Sequence, residues 1–402
     1  MKRNVVVYLI LSALLAATAL GAPSSAQEQR IVVGVLLDVD GSVRSGDAVI
    51  AEAVRLAARD VAADLERIGR RLEVLFEDTD ADPRVAAQAA QELADRGARF
   101  IVGPTSSPEA RAVLPVLERT GVVAISMAST AVELALDDNL MRFVSNDAVQ
   151  VRALSHLYAE NGIDVVVPFV RADEYGLDLL AALRSHVASP VHLVDEVVYE
   201  PGAIRDRLGD LEARVSDAVR SYGARRVAVQ YVGFDELVEV AAELAAMPAL
   251  SSVRWFGADA LAVSPRFVAS KEAAAFGEAV DLIATIPVPR FDHLRARQII
   301  QELLGAGFDS APLAYALNAY DAMAVAALAE SARSAAASPK EAALVVLKWF
   351  SGVTGKVTLD ENGDRADNDY YFVRVARPFG EDSEATWTLT GHWAADMVFM
   401  ED

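Results

Sequence analysis

From Ile31 onward, short apolar stretches alternate with helix-patterned stretches across connections of only a few residues, and this alternation restricts the chain to a parallel α/β architecture. Residues 31–37 and 72–76 read as strands, and 47–65 and 83–94 as helices. A third strand, 99–102, runs into Gly103-Pro104-Thr105-Ser106-Ser107. The helix that follows places Ala110, Val113, Leu114 and Leu117 at i, i+3, i+4, i+7 spacing. A fourth strand, 122–125, ends in Ser126-Met127-Ala128-Ser129-Thr130. In a parallel sheet both polar ends lie at the carboxyl edge, where helix-start N–H groups and hydroxyls can hold a carboxylate or phosphate. Each serine alone is equally a helix N-cap, and neither turn offers an obvious base or nucleophile.

The pattern restarts near residues 142–147. Helix, strand (165–169), helix, strand (192–198), helix and strand (227–231) follow, and 253–256 leads into Gly257-Ala258-Asp259-Ala260. We read this as a second α/β unit. A further strand is expected over 280–286, an alanine-rich helix over 312–332 and an alternating strand over 370–375.

The N-terminus carries Lys2 and Arg3, an apolar run over 5–20 and Pro23-Ser24-Ser25-Ala26, which predicts an export signal cleaved after Ala26. The chain has no cysteine, so thiol chemistry, cysteine metal sites and lipid attachment through a cysteine are excluded. A formal net charge of −21 argues against nucleic acid and anionic lipid as partners. His156, His186, His192, His293 and His392 show no metal-ligand spacing, and neither metal nor cofactor is expected.

Seven segments, in order, carry a resemblance: GPTSS at 103–107, ISMAST at 125–130, FVSND at 143–147, DEYG at 173–176, FGADA at 256–260, NAYDA at 318–322 and FSGVTGKVTLDENGDR at 350–365. Together they resemble the periplasmic type I solute-binding proteins, in particular the leucine/isoleucine/valine-binding family that serves ABC importers. The resemblance implies an α/β fold of two doubly wound lobes joined by three hinge crossings, with a small amino acid or related carboxylate bound between them. The lobes would comprise 27–145 plus 284–368 and 146–283 plus 369–402, with hinges near 145–147, 283–287 and 369–371.

It further implies that Ser107 and Thr130 hold a ligand carboxylate and that the backbone at Ala128 binds the amino-acid head. Tyr175 would cover the ligand, and Asp259 would pair with its ammonium group. Ser45 and Phe234 stand near positions where the branched-chain binders have aromatic residues. The charged loop 38–44 departs from the family pattern: Arg44 reads first as a solvated loop arginine and, if turned inward, would favour a ligand with an extra acidic group. The expected partners are a small solute and ABC permease membrane subunits, the expected state a monomer, and the expected location periplasmic or secreted.

One enzyme alternative competes. Asp38 and Asp40 at the end of the first strand look like the first motif of haloacid-dehalogenase-type Mg-dependent phosphatases, and Asp364 could pass for a distal acid of that superfamily. Residues 360–364 also suggest a calcium loop, but no bidentate glutamate closes it.

Overall fold

The computed structural model describes residues 29–39, 46–187, 189–262, 264–289, 294–308, 313–333, 337–366, 368–378, 380, 383–394 and 397–400. Ser45, Asp40, Arg44 and the expected export signal lie outside them. The strands are β1 (Gln29–Leu37), β2 (Arg70–Asp78), β3 (Phe100–Val102), β4 (Val123–Ser126), β5 (Leu140–Arg142), β6 (Val165–Arg171), β7 (His192–Leu193), β8 (Val197–Tyr199), β9 (Val227–Val232), β10 (Arg254–Gly257), β11 (Ile283–Pro289), β12 (Asn368–Ala376), β13 (Thr386–Ala394) and β14 (Met397–Met400). The longer helices are α1 (Asp47–Glu66), α2 (Pro83–Asp95), α3 (Ser107–Thr120), α4 (Asp147–Glu160), α5 (Glu174–His186), α6 (Leu208–Tyr222), α7 (Lys271–Ala279), α8 (Leu294–Gly305), α9 (Leu313–Ala332) and α10 (Pro339–Trp349).

Two sheets result. The first is wholly parallel, in the order β2-β1-β3-β4-β5. Along β1 the side chains alternate between two apolar clusters: Ile31, Val33, Val35 and Leu37 pack toward α1, α9 and α10, whereas Val32 and Leu36 pack toward α2 and α3. Burial on both faces explains why β1 reads as a continuous apolar run and not as an alternation. At the end of β3, Gly103 (φ +111°) passes so close to β1 that a Cβ would lie 2.1 Å from the Leu36 carbonyl oxygen. Only glycine allows the Thr105–Ser107 turn to leave the sheet there.

The second sheet has the order β14-β13-β12-β11-β10-β9-β6-β7, with β8 also pairing β6. It is parallel from β6 to β11, but β12, β13 and β14 run antiparallel. The second lobe is therefore a mixed sheet, and the doubly wound expectation holds only for its parallel part. The strand expected over 192–198 is two pieces. β7 pairs His192 with Val165 and β8 pairs Val197 with Phe169, so the register offset grows by one residue and the ladder breaks between them. The strand expected from Val280 begins at Ile283, because the chain first turns through Asp281 at φ 46°.

The chain passes between the sheets three times: through α4, between β11 and α8, and between α10 and β12. Helices α8, α9 and α10 return to pack on the first sheet. β11 pairs β12 along its whole length and β10 at Ile283 and Ala284, so a lobe border placed at 284 falls just inside that strand. The first and third passages lie side by side. Arg142 N–H donates to the Gly363 carbonyl at 2.9 Å, Arg365 N–H to the Arg142 carbonyl at 2.9 Å, and Ser145 Oγ to the Arg365 carbonyl at 2.9 Å.

Candidate functional site

The carboxyl ends of the two sheets face one another across a narrow cleft that opens to solvent. From the first lobe, Thr105, Ser106, Ser107 and Ala128 line it, together with Asp47 and Ile50 of α1 and Tyr315 of α9. From the second lobe come Tyr175, Phe234, Asp235, Asp259 and Ser264.

On the first-lobe wall, Ser106 is the N-cap of α3, its hydroxyl accepting from Glu109 N–H at 3.4 Å. Ser107 is buried, and its Oγ accepts from Ala131 N–H at 3.1 Å, which ties the end of β3 to the loop after β4. Ser107 also lines the cleft, and a hydroxyl there can donate to an anion. Thr130 lies one layer deeper. It is buried, and its Oγ1 makes no hydrogen bond among the described residues.

The loop carrying Ala128 and Thr130 is held from behind by an ion. Arg142, wholly buried, donates to the carbonyls of Ser129 (3.2 Å) and Ala131 (2.6 Å) and pairs with Asp364 through Nε and Nη2, both at 2.5 Å. This buried pair gives Asp364 a supporting role and removes it as a distal phosphatase acid. Asp38 likewise joins a structural network: its backbone N–H donates to Asp47 Oδ2 at 3.2 Å, the atom that also accepts from the Thr105 hydroxyl at 2.7 Å. The phosphatase expectation for Asp38 and Asp40 finds no support. The 360–364 turn is an Asx turn, in which Asp360 Oδ1 accepts from the N–H groups of Asn362 (2.9 Å) and Asp364 (3.0 Å). Among the described residues, no three histidine, aspartate or glutamate side chains gather as a metal set.

On the second-lobe wall, Asp259 opens a short helical turn after β10 and is 2% exposed. It accepts from the Tyr175 hydroxyl at 2.7 Å and from the Tyr315 hydroxyl. Tyr315 belongs to the first lobe, so the hydrogen bond spans the cleft. Asp147, the first residue of α4, is fully buried beside it. Neither Asp147 oxygen has a hydrogen-bond partner among the described residues. Burial, and then the Asp259 carboxylate, push the Asp147 carboxyl well above the usual carboxylate range. Thr130 lies near enough to oppose that rise, but outside hydrogen-bond geometry. The tyrosines share the effect: burial, then Asp259, raise the hydroxyl pKa values of Tyr175, Tyr315 and Tyr370.

The cleft thus brings Ser107, Ala128, Tyr175, Phe234 and Asp259 together, sets Thr130 behind them and leaves Ser45 undescribed. The hydroxyl wall can donate to an anion, and the Asp147–Asp259 side can hold a cation, as a zwitterion requires. Sequence reasoning passed over Tyr315 and Asp147. Tyr315 sits in a helix that reads as continuous core, and Asp147 enters the sequence reading only within FVSND and the hinge near 145–147.

Residues 49–377 match the family described as "Receptor family ligand binding region". An uncharacterized protein of Methanocaldococcus jannaschii, MJ1266, is 26% identical over 396 residues, covering 92% of this chain and 91% of its own length. A leucine-, isoleucine-, valine-, threonine- and alanine-binding protein of Pseudomonas aeruginosa is 24% identical over 307 residues, 75% of this chain and 78% of that one. The crystal structure of a leucine-binding protein, LivK, of Thermotoga maritima superposes with a TM-score of 0.71 at 20% identity, covering 91% of this chain and 99% of that chain.

Proposed function

The chain belongs to the receptor ligand-binding-region family and has the type I periplasmic binding-protein fold, and on that premise we propose that it is the extracytoplasmic solute-binding component of an ABC importer. Its ligand is a small amino acid or a related carboxylate carrying an ammonium group, held between the two lobes without chemical change. The observation that carries this reading is the polarity of the cleft. The Ser107 hydroxyl lines the first-lobe side and the buried Asp259 carboxylate the other; Asp147 lies behind Asp259 and beside Thr130, whose carbonyl accepts from the Asp147 N–H at 2.8 Å, and Asp47 on the first-lobe wall is taken up by the Asp38 N–H and the Thr105 hydroxyl. A buried charge is tolerated only when paired, so a cleft built this way discriminates for a ligand that presents both signs. Tyr175 and Phe234 cover it.

Closure follows from the same residues. Tyr315 reaches Asp259 across the cleft, and at the rim Arg111 of α3 donates to Glu174 of α5 at 2.8 Å. The backbone N–H of Glu133 donates to Asp178 of α5 at 2.7 Å. An ammonium that takes a place on Asp259 competes with Tyr315, so ligand and latch share one acceptor. The three passages between the sheets serve as the hinge. The closed lobes would present their outer faces to permease subunits, with the protein acting as an exported monomer freed of residues 1–26.

The test is calorimetric titration of the mature chain, unfolded and refolded to remove carried ligand, with L-amino acids and small carboxylates. One of them should bind with a 1:1 stoichiometry. At 100 times its dissociation constant it should stabilise the fold by about 2.7 kcal/mol. Binding of carboxylates that lack an amino group, undiminished by Asp259→Asn, would overturn the zwitterion reading.

A further inference from the structure

The two aromatic rings that cover the cleft come from different strand ends, and one arginine joins them. Tyr175 lies in the first turn of α5, after β6, and Phe234 follows β9. Their rings stack at 5.3 Å between centroids with planes 29° apart. Arg171, the last residue of β6, sets its guanidinium 5.1 Å from the Phe234 ring centre, a cation–π distance. Its Nε donates to Asp173 Oδ2 at 2.6 Å and its Nη1 to Glu236 Oε1 at 3.0 Å. Asp173 in turn caps α5 by accepting from Gly176 N–H at 3.0 Å, and so orients the turn that carries Tyr175.

Glu236 is fixed from the other side. Its Oε1 accepts from the Tyr199 hydroxyl at 2.8 Å, and the neighbouring Tyr231 hydroxyl donates to the Phe234 carbonyl at 3.1 Å. The backbone is fitted to this network at both aromatics. A Cβ at Gly176 would lie 2.1 Å from the Arg171 carbonyl oxygen, and one at Gly233 would lie 2.1 Å from the Tyr199 hydroxyl. The charged members are largely screened from water, with side-chain exposures of 22% for Arg171, 12% for Asp173 and 11% for Glu236.

We propose that Arg171, clamped by Asp173 and Glu236, is a positioning residue that locks Tyr175 and Phe234 into one rigid wall of the cleft and thereby sets which ligand side chains are accepted. The inference rests on the solute-binding reading of the same cleft. A planar guanidinium can lie over a ring while donating sideways to two carboxylates; an ammonium cannot. Arg171→Lys therefore keeps the charge and loses the geometry. Loss of positioning loosens the wall, so affinity for the preferred solute falls while a larger or smaller homologue is affected less.

The experiment measures dissociation constants of the refolded chain for a series of amino acids of graded side-chain size. The proteins are the wild type, Arg171→Lys, Glu236→Gln, Phe234→Leu and the Arg171→Lys/Phe234→Leu double variant. We expect Arg171→Lys to weaken the preferred solute at least tenfold and to flatten the ranking across the series. In the Phe234→Leu background the same change should alter the ranking by less than twofold. Glu236→Gln, which keeps the size of the side chain but removes the carboxylate charge that clamps Arg171, should shift the ranking in the same direction and serves if the lysine variant does not fold. An unchanged ranking in a folded Arg171→Lys or Glu236→Gln protein overturns the inference, as does an equal loss for every solute. Those outcomes leave the solute reading standing. A wild type that binds no member of the series overturns both.

Discussion

Asp147→Asn should move stability and binding in opposite directions. Asp147 is fully buried and neither of its oxygens is hydrogen-bonded among the described residues. Burial, with Asp259 beside it, raises its pKa in the folded state. The folded carboxyl then holds its proton more tightly than the unfolded one, whose pKa is about 3.9. The linkage has a definite sign: the destabilisation is absent below about pH 3.9, grows as pH rises through the window up to the raised folded pKa, and is fully present above it. Asparagine removes the charge and with it the pH-dependent part. Exchanging the buried charge for a neutral amide, which still leaves a carbonyl and an NH2 at the site, is worth on the order of 1–3 kcal/mol. In a lobe-sized cooperative unit, each kcal/mol raises the melting temperature by roughly 2–4 °C.

The ligand sees the reverse. If the ammonium sits between Asp147 and Asp259, losing one buried charge partner costs about 2–5 kcal/mol, or roughly a 30- to 5000-fold rise in Kd. Scanning fluorimetry of ligand-free protein between pH 5 and 8, with calorimetric titration of each variant, measures both. A ligand-free variant that melts lower than wild type at pH 8 would show that Asp147 is not an uncompensated buried charge. An unchanged affinity in Asp147→Asn, alongside a large loss in Asp259→Asn, would remove Asp147 from the cation side of the cleft.

Arg142→Met leaves Asp364 buried without its ion partner and releases the carbonyls of Ser129 and Ala131, so chemical denaturation should show a loss of about 3–5 kcal/mol. Tyr315→Phe deletes the hydrogen bond across the cleft, worth about 1 kcal/mol, and small-angle scattering of the ligand-free protein should report a larger radius of gyration than wild type. Asp321 accepts from the N–H groups of Val353 (2.8 Å) and Thr354 (2.9 Å), yet burial pushes its pKa up to about 6. Its burial therefore costs stability above pH 6 and progressively less as pH falls toward 4, so Asp321→Asn should flatten the stability profile across that window in urea melts at fixed pH steps.

The α/β class, the restart near 142–147 and most of the parallel strands were legible in the chain, because strands buried on both faces must be apolar runs and their helices must be amphipathic. The antiparallel strands β13 and β14 were not read. β13 is half-buried and interrupted by Gly391, and its partner β14 is four residues long, too short to establish a period.

Within the cleft, the serine- and threonine-rich strand ends and Asp259 were visible because hydroxyls, glycine and a carboxylate in strand-end turns are local signals. Tyr315, Asp147 and Arg171 gave none, since each looks like an ordinary helix or strand-end residue until another part of the chain is placed against it. Tyr315 meets Asp259 from 56 residues away, and Arg171 meets Glu236 from 65. The chain by itself determined which segments become strands and helices and which strand ends are polar, because periodicity and backbone preference act over a few residues. Tertiary structure alone decided which carboxylates share a cleft, which charge supports the Ala128–Thr130 loop and which ring stacks on which. Those are matters of distance in space, and burial changes the energy of a charge only once its neighbours have arrived.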